Sequence, residues 1–293
     1  PVHGREPEAR PPANALRGEE RLEDAPADLV RHASAGVGDP ESHVAARADV
    51  LAVPALRGGG LDLVGGDRQS AALRHRVPIN LNGSLSLSGT VIITNTALNG
   101  GGVQQWNAGY SVALTNTRFE RNRARTVGGG MAVSSTLSIS GSAFMTNTVD
   151  SGDGSDTFGG GVYAGGASQI AGTTFAGNTA FCINGGSCSN ANGGGLYIVN
   201  QPLTLTQVTF ARNGAGRMGG GLKADRATTR LDRVIFSGNS AGWGAGLSHS
   251  QGRGTLNNVL FNGNVAGWGG GVLIESANVT LTHVTASGNY ASN

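Results

Sequence analysis

Apolar and polar side chains alternate along most of the chain after residue 77, as in Leu203-x-Leu205 and Leu222-x-Ala224. A period of two places the apolar side chains on one face of a β-strand. No segment shows the i, i+3, i+4, i+7 spacing of an amphipathic helix. Gly, Asn and Ser separate the alternating segments, so the pattern predicts many short strands joined by tight turns.

A unit of about 25 residues repeats between Ser111 and Asn293. Each copy carries Phe-x-x-Asn, then a glycine run and an apolar pair, as in residues 255–278, TLNNVLFNGNVAGWGGGVLIESAN. The Phe/Asn pairs are Phe119/Asn122, Phe144/Asn147, Phe175/Asn178, Phe210/Asn213, Phe236/Asn239 and Phe261/Asn264. Successive asparagines, the last being Asn289, are 25, 31, 35, 26, 25 and 25 residues apart. This regular step indicates a solenoid.

The repeat predicts an all-β fold, a right-handed parallel β-helix of about eight coils, because the unit is too short for a propeller blade and has no helix. Apolar residues two, five and seven positions before each Phe, such as Val208, Leu205 and Leu203, are expected to stack inward beside a ladder of Phe rings. The Asn side chains should line up at a turn. A column of small residues follows: Ala124, Val149, Ala180, Ala215, Ala241, Ala266 and Ala291. The glycines then permit a tight corner with positive φ.

The pairing of FxxN with GG[AG][ILVM] resembles the repeat of the polymorphic outer-membrane proteins and related bacterial surface β-helix proteins. Six near-complete copies carry the resemblance over residues 111–293. It implies a surface-displayed adhesin or passenger, located outside the cell, on the cell surface or at the outer membrane. The chain starts at Pro1 and shows no signal peptide, so we expect an export signal outside the printed sequence.

Residues 1–76 differ sharply in composition from the repeat domain, residues 77–293. They hold 22 of the 40 charged residues and seven of the nine prolines, but no Phe, Tyr, Trp, Ile, Met, Thr, Lys or Cys. Such a segment has little apolar surface to offset its ordering entropy, which predicts a disordered or weakly helical leader. A second interpretation is a wrong-frame translation of a GC-rich gene, with native sequence resuming near Val77.

Residues 78–110 carry an irregular form of the repeat, which we interpret as the first one or two coils. Leu85, Leu87, Val91 and Ile93 alternate as strand residues do. Leu98, twenty-one residues before Phe119, is predicted to take the Phe position. Irregular repeats are normal at a solenoid end, where an open edge has to be covered.

Two consecutive repeats carry insertions at the same place, between the Asn and the glycines. The distance from Asn147 to Gly159 is 12 residues and that from Asn178 to Gly193 is 15, against 5 or 6 in other repeats. Because neighbouring coils stack about 4.8 Å apart, the two loops are expected to touch. Loops of this kind commonly form the binding surface of a solenoid.

The insertions also contain the residues most suited to a metal ion or a disulfide. Asp150, Asp153 and Asp156 lie among Gly and Ser in the first loop, and three carboxylates could hold Ca²⁺; the alternative is a solvated acidic loop. Cys182 and Cys188, the only cysteines, lie in the second loop. A local disulfide between them is favoured over two buried thiols and would indicate an oxidising compartment.

No catalytic set can be assembled from the sequence. Seven acids remain after residue 76, namely Glu120, Asp150, Asp153, Asp156, Asp225, Asp232 and Glu275. Outside the loop, none falls on the same column of neighbouring coils as another, whereas glycosidases need paired carboxylates. The densest polar group on regular coils is interpreted as exposed strand charges and comprises Lys223, Asp225, Arg226, Arg230, Asp232 and Arg233. His249 is expected to be a satisfied inward residue, and His283 a turn residue equivalent to Gln207 and Asn258.

Aromatic residues give a second candidate binding surface. Trp243 and Trp268 each precede a glycine run and should stack on neighbouring coils. Tyr163 and Tyr197 likewise fall together, two residues after the glycines. Aromatic pairs that point outward form platforms for sugar rings, whereas pairs that point elsewhere would shield the corner backbone.

Taken together, these patterns favour a non-enzymatic, extracytoplasmic β-helix protein that presents loops for binding a glycan or a protein of a host or neighbouring cell surface. The alternative is a polysaccharide lyase or glycoside hydrolase of the pectate-lyase-like β-helix fold. No cofactor is expected, apart from the candidate Ca²⁺ ion. A net charge of +2 does not indicate a nucleic-acid partner, and no run of 18 apolar residues predicts a membrane-spanning helix.

Overall fold

The computed structural model describes residues 43–47, 56–57, 60–64, 79–182 and 190–293. Within these residues all regular structure is β-strand, so none of them forms a helix that could cross a membrane. The strands pair in parallel across four sheets, and each regular coil contributes one strand to every sheet in turn. The parallel β-helix predicted from the repeat is therefore confirmed, with about eight coils from residue 85 onward.

Sheets 1 and 2 follow each other along a coil, and their inward side chains form the apolar core together with those of sheet 4. The strands of sheet 1 are β1 His43–Arg47, β3 Gly60–Val64, β5 Leu85–Ser88, β9 Ser111–Thr115, β13 Thr136–Ser140, β18 Ser168–Ala171, β23 Pro202–Thr206, β27 Thr228–Asp232, β31 Arg253–Asn257 and β35 Asn278–Thr282. The strands of sheet 2 are β6 Val91–Ile93, β10 Arg118–Glu120, β14 Ala143–Met145, β19 Thr174–Ala176, β24 Thr209–Ala211, β28 Ile235–Ser237, β32 Leu260–Asn262 and β36 Thr285–Ser287.

Sheets 3 and 4 lie on either side of the glycine corner. The strands of sheet 3 are β7 Thr96–Asn99, β11 Arg123–Val127, β15 Thr148–Ser151, β16 Thr157–Phe158, β20 Thr179–Cys182, β21 Ala191–Asn192, β25 Gly214–Ala215, β29 Ser240–Trp243, β33 Val265–Trp268 and β37 Tyr290–Ala291. The strands of sheet 4 are β2 Leu56–Arg57, β4 Ile79–Asn82, β8 Val103–Gln105, β12 Met131–Val133, β17 Val162–Ala164, β22 Leu196–Val199, β26 Leu222–Asp225, β30 Leu247–Ser250 and β34 Val272–Glu275.

A ladder of six Phe rings fills the interior beneath sheet 2, as predicted. All six side chains are fully buried. Successive rings are stacked with centroids 4.7 to 5.1 Å apart and planes within 6° to 10° of parallel. Phe210 and Phe236 pair in register, and Leu203, Leu205 and Val208 are buried beside them. The inward columns read from the sequence are therefore confirmed.

The Asn column forms a continuous ladder of hydrogen bonds at the turn between sheets 2 and 3. The Asn213 side chain donates from Nδ2 to the Phe175 carbonyl oxygen at 2.9 Å and to Asn239 Oδ1 at 3.0 Å. Its Oδ1 accepts from both the backbone N–H and Nδ2 of Asn178, each at 2.9 Å. Every rung thus satisfies backbone groups that the turn would otherwise leave buried and unpaired.

The ladder differs from the predicted set of asparagines, Asn122 to Asn264, by one additional rung at each end. Asn264, the last predicted member, is fully buried and donates from Nδ2 to Asn289 Oδ1 at 2.8 Å, although Ala286 stands at the Phe position of that final coil. At the other end Asn95 donates from Nδ2 to Asn122 Oδ1 at 2.9 Å. The Phe/Asn signature misses both ends because a rung needs the amide at the turn but not the aromatic ring before it.

The glycine corner is as tight as predicted. The first glycine of each run has a positive φ, for example 67° at Gly219 and 57° at Gly244. A Cβ atom added at Gly219 would lie 2.5 Å from the Leu222 carbonyl oxygen, so no other residue fits without a backbone shift.

The first coil also differs from the prediction. Ile92, and not Leu98, pairs with Phe119. Leu98 lies on sheet 3 with 62% of its surface exposed. The sequence hides this register because Ile replaces Phe and the step from Asn95 to Asn122 is 27 residues.

The described residues before residue 79 form three strands. β1 pairs in parallel with β3 and β3 with β5, which extends sheet 1, and β2 pairs with β4 in sheet 4. The rest of residues 1–78 lies outside the described residues. The domain boundary after residue 76 and the two interpretations of the leader remain predictions.

Replacing Asn213 with Asp tests the ladder. Nδ2 faces two acceptors, so a carboxylate oxygen in its place leaves the Phe175 carbonyl without the amide donor and places a buried negative charge against Asn239 Oδ1, which keeps only the Asn213 backbone N–H. A buried group that loses its donor costs about 1–3 kcal/mol, and a buried unpaired charge adds to that cost. Asn213→Asp should therefore lower the free energy of unfolding by at least about 2 kcal/mol in urea denaturation. Asn262→Asp at an exposed position is the matched control, and equal stability of the two variants would contradict the ladder.

Candidate functional site

Two outward columns meet at the glycine corner. The column before the glycines contains Phe158, Asn192, Met218, Trp243 and Trp268, and the column after them contains Tyr163, Tyr197, Lys223, Ser248 and Leu273. We call these ten residues the corner groove.

The second column faces outward because its strand neighbours belong to the core. Tyr197 lies between Leu196 and Ile198, and Lys223 lies between Leu222 and Ala224, all four of which are core residues. Strand alternation therefore points Tyr197 and Lys223 away from the core.

The absence of side chains on the corner glycines brings the two columns together. A Cβ added at Gly193 would lie 2.7 Å from Tyr197 Cβ, and one added at Gly244 would lie 3.0 Å from Ser248 Cβ. Residues on both sides of the corner thus contact one another: the rings of Phe158 and Tyr197 are 4.8 Å apart.

The two predicted tyrosines form one end of the groove. Tyr163 and Tyr197 stack with ring centroids 5.7 Å apart and planes 17° from parallel. Trp106, which was not predicted from the sequence, packs edge-on against Tyr163 at 5.9 Å. Burial raises the pKa of both tyrosines, and the Asp225 charge adds to the rise at Tyr197. Both hydroxyls therefore stay neutral at physiological pH and can donate hydrogen bonds.

The two predicted tryptophans form the other end of the groove. Trp243 and Trp268 pair in register on neighbouring coils, with 36% and 55% of their surfaces exposed. The Arg217 guanidinium carbon lies 5.4 Å from the centroid of the Trp243 ring, within cation–π distance. This exposure shows that the tryptophans are accessible from solvent and do not only shield the backbone.

Lys223 occupies the middle of the groove and was wrongly predicted to be an exposed strand charge. Its side chain is 4% exposed, and Nζ donates to Ser248 Oγ at 3.3 Å and to Ser250 Oγ at 2.5 Å. Burial lowers its pKa, an effect that the charges of Asp225 and Glu275 oppose. The register that pairs Tyr163 with Tyr197 also places Lys223 on the next coil, and this was the signal that sequence reasoning missed.

The other charges of that group are exposed or paired near the surface. Asp225 and Asp232 each bind the arginine that follows them, Arg226 at 3.0 Å and Arg233 at 2.9 Å. Asp225 and Glu275 share an outward column, with Ser250 on the coil between them. No carboxylates of neighbouring regular coils pair there in the described residues, so a glycosidase-type acid pair finds no support.

The two insertions touch each other and border the groove. Both oxygens of the Asp156 carboxylate accept from Asn190, one from its backbone N–H and one from its amide, each at 2.8 Å. Arg217 Nη1 donates to Asn190 Oδ1 at 2.5 Å while the same guanidinium lies over Trp243. Arg217 thus links the inserted loops to the tryptophan end of the groove.

The three loop carboxylates do not converge on a common point. Asp150 pairs with Arg123 at 2.6 Å, and Asp153 accepts from the Ser155 N–H at 3.0 Å. Asp156 is engaged by the second loop. Across residues 79–182 and 190–293 no group of three candidate ligands is found, so the proposed Ca²⁺ site is not supported.

Only Cys182 of the predicted disulfide lies within the described residues. Cys182 ends β20, with its Sγ 3.8 Å from the Ser155 carbonyl oxygen of the first loop. Cys188 lies outside the described residues, so the bridge remains a prediction.

Of the two histidines, His283 lies at a turn and His249 is buried in the interior. His283 has a φ of 51° at a turn where Gln207 and Asn258 have 55° and 53°, as expected. His249 points inward between Ala224 and Ile274, and its Nε2 lies 3.1 Å from Thr229 Oγ1. Its Nδ1 is buried without a hydrogen-bond partner, so it is only half satisfied. Burial lowers its pKa from the usual 6.5.

Comparison of the chain with family models, with curated proteins and with solved structures found no match. The resemblance to the outer-membrane repeat family therefore remains a prediction.

His249→Leu tests the buried histidine through the pH dependence of stability. Because the folded pKa lies below 6.5, the unfolded chain binds the proton first as the pH falls. Wild-type stability should thus drop as the pH falls through 6.5 towards the lowered pKa. The leucine variant should lose that part of the drop, measured as urea midpoints at pH 8 and pH 5. His283→Asn, which copies Asn258 of the previous coil, should keep the wild-type dependence, and an unchanged dependence in His249→Leu would contradict the assignment.

Proposed function

We propose that this chain is an extracytoplasmic or cell-surface β-helix protein of the adhesin or passenger type, and that its corner groove binds glycan chains. The observation that carries the proposal is the pair of outward tryptophans on neighbouring coils, Trp243 and Trp268, beside a row of polar side chains. The extracytoplasmic location rests on the family resemblance and on the predicted disulfide.

A glycan matches the mixed chemistry of this groove. Sugar rings present an apolar face of C–H groups that can stack on an aromatic ring, while their hydroxyls need hydrogen-bond partners. The groove offers Trp243 and Trp268 at one end and the stacked tyrosines at the other. Lys223 and Ser248 lie between them as polar groups. Coils repeat about every 4.8 Å, so a linear polymer lying along the solenoid axis would meet one rung after another.

The inserted loops would form one wall of the binding surface. Long loops carry an ordering cost that the scaffold does not require, since the regular repeats on either side close the same corner with 5 or 6 residues. Arg217 holds the second loop through Asn190 and lies over Trp243, which makes the loops and the groove one continuous surface.

Alanine substitution of the tryptophans tests the proposal. A neutral and acidic oligosaccharide panel is titrated against the wild type by calorimetry. Trp243→Ala and Trp268→Ala should each weaken binding roughly tenfold, the equivalent of about 1.4 kcal/mol. Ile235→Ala, at an exposed apolar residue on sheet 2, is the control and should bind normally. Binding to no member of the panel, or turnover of a polysaccharide by the wild type, would overturn the proposal.

Trimming the loops separates their contribution from that of the groove. Both insertions are shortened to the six-residue gap found after Asn213. The thermal transition should change little, because regular coils fold with that gap, whereas glycan affinity should be lost. Full affinity in the trimmed protein would show that the loops take no part and would leave the tryptophan column as the binding face.

A further inference from the structure

Sheet 1 presents a long outward face that carries almost no charge. From β5 to β35 its outward positions hold Ser, Thr, Ala, Gln, Pro and Asn, apart from Arg230, Asp232 and Arg253. The Asp232 carboxylate is engaged by its neighbours, binding Arg233 at 2.9 Å and accepting from Asn257 Nδ2 at 2.8 Å. Between β5 and β35, Arg230 and Arg253 are thus the only outward cations of this sheet.

Neither of these two arginines has a carboxylate partner. The strand neighbours of Arg230 are two threonines, and those of Arg253 are a threonine and an asparagine. Within the part of the chain that the structure describes, neither guanidinium forms an ion pair or a side-chain hydrogen bond. Ion pairs do hold other arginines of the solenoid, namely Arg118, Arg121, Arg123, Arg226 and Arg233.

The two arginines lie close to each other. Arg253 pairs with Thr228 and Arg230 pairs with Thr255, so the arginines are two residues apart on neighbouring strands and on the same face. Strand spacing and rise per residue place their Cα atoms about 8 Å apart. Both guanidinium groups can therefore reach one ligand, and an anion between them would offset the repulsion of two like charges.

A cleft of about 450 Å³ beside Arg253 provides the space for such a ligand. Outward side chains from three successive strands line it, with Gly254 between the two columns: Thr228, Arg253, Asn278, Thr255 and Thr280. None of these side chains makes a hydrogen bond to another described residue. Hydroxyl and amide groups are thus available beside the guanidinium of Arg253.

The donors fit an oxyanion with more than two oxygens. A guanidinium fork binds an oxyanion through two parallel hydrogen bonds, so one arginine already uses both oxygens of a carboxylate. A sulfate or phosphate ester has three terminal oxygens and can accept from two guanidinium groups at once. The hydroxyls of the cleft can both donate to and accept from the hydroxyls of a sugar.

We propose that Arg230 and Arg253 form a second binding site, on sheet 1, for a glycan that carries a sulfate or phosphate ester. The site lies on a different sheet from the corner groove, whose columns belong to sheets 3 and 4. It does not depend on the groove, and it adds a separate ligand class to the function proposed above.

Calorimetry on the whole chain tests the site with three short probes: a sulfated disaccharide, its phosphorylated counterpart and the unsubstituted disaccharide. The wild type should bind at least one ester roughly tenfold more tightly than the unsubstituted sugar, and the tighter ester identifies the anion. Arg230→Gln and Arg253→Gln should each weaken binding of that ester roughly tenfold. Both positions are exposed, so the urea midpoints should stay at the wild-type value.

Arg212→Gln is the matched control. It removes an exposed arginine that has no ion pair among the described residues, at the turn between sheets 2 and 3, and it changes the net charge by the same amount. It should bind the ester as the wild type does. An equal loss of affinity in Arg212→Gln and Arg253→Gln would show attraction to net charge alone and would overturn the site.

The two proposals fail in distinguishable ways. Equal affinity of the wild type for esterified and unsubstituted disaccharides, or no binding of any of the three, would overturn the sheet 1 site whatever the groove binds. Trp243→Ala should leave binding of the ester unchanged, because the tryptophan belongs to the groove. Intact ester binding in a protein whose groove binds no oligosaccharide would overturn the proposed groove function and leave the sheet 1 site standing.

Discussion

The Asn ladder is the interaction on which the rest of this structure depends. At each rung, as at Asn213, the backbone N–H and Nδ2 both donate to the Asn Oδ1 of the next coil, and Nδ2 also donates to a carbonyl oxygen of the preceding coil, so the coils cannot slip relative to each other. With that register fixed, every other column follows, including the Phe rings below the turn and the groove residues beyond it. Both long insertions leave the coil between the ladder and the glycine corner.

Positions that serve the fold could be predicted from the sequence, because they repeat. The Phe and Asn of the repeat, such as Phe210 and Asn213, recur at a constant offset. Their stacking and burial could therefore be predicted from the sequence. The prediction failed at Leu98 because Ile92 performs the same packing without the Phe signature. A sequence repeat is recognised by residue type, whereas packing in the core depends on the volume and shape of the side chain.

Positions that serve the candidate site were harder to predict, because they do not repeat. The aromatic pairs were visible since each pair occupies one column, but Lys223 shares that column with side chains of different chemistry. Charge alone suggested an exposed residue, and only the corner geometry shows that the groove buries it. Arg217 contacts Asn190 on the neighbouring coil, but the insertion before Asn190 hides that alignment in the sequence.

The rungs of the Asn ladder all point the same way. Each amide donates from Nδ2 to the following coil and accepts on Oδ1 from the preceding one, so the side-chain dipoles align head to tail along the solenoid. Aligned hydrogen bonds polarise one another and strengthen as a chain. A single amide cannot rotate without breaking the bonds on both sides, and Asn95, the first rung among the described residues, has a buried oxygen without a hydrogen-bond partner there. The aligned amides therefore give the solenoid a polarity along its axis: their dipoles add in one direction, which the orientation of the amides fixes.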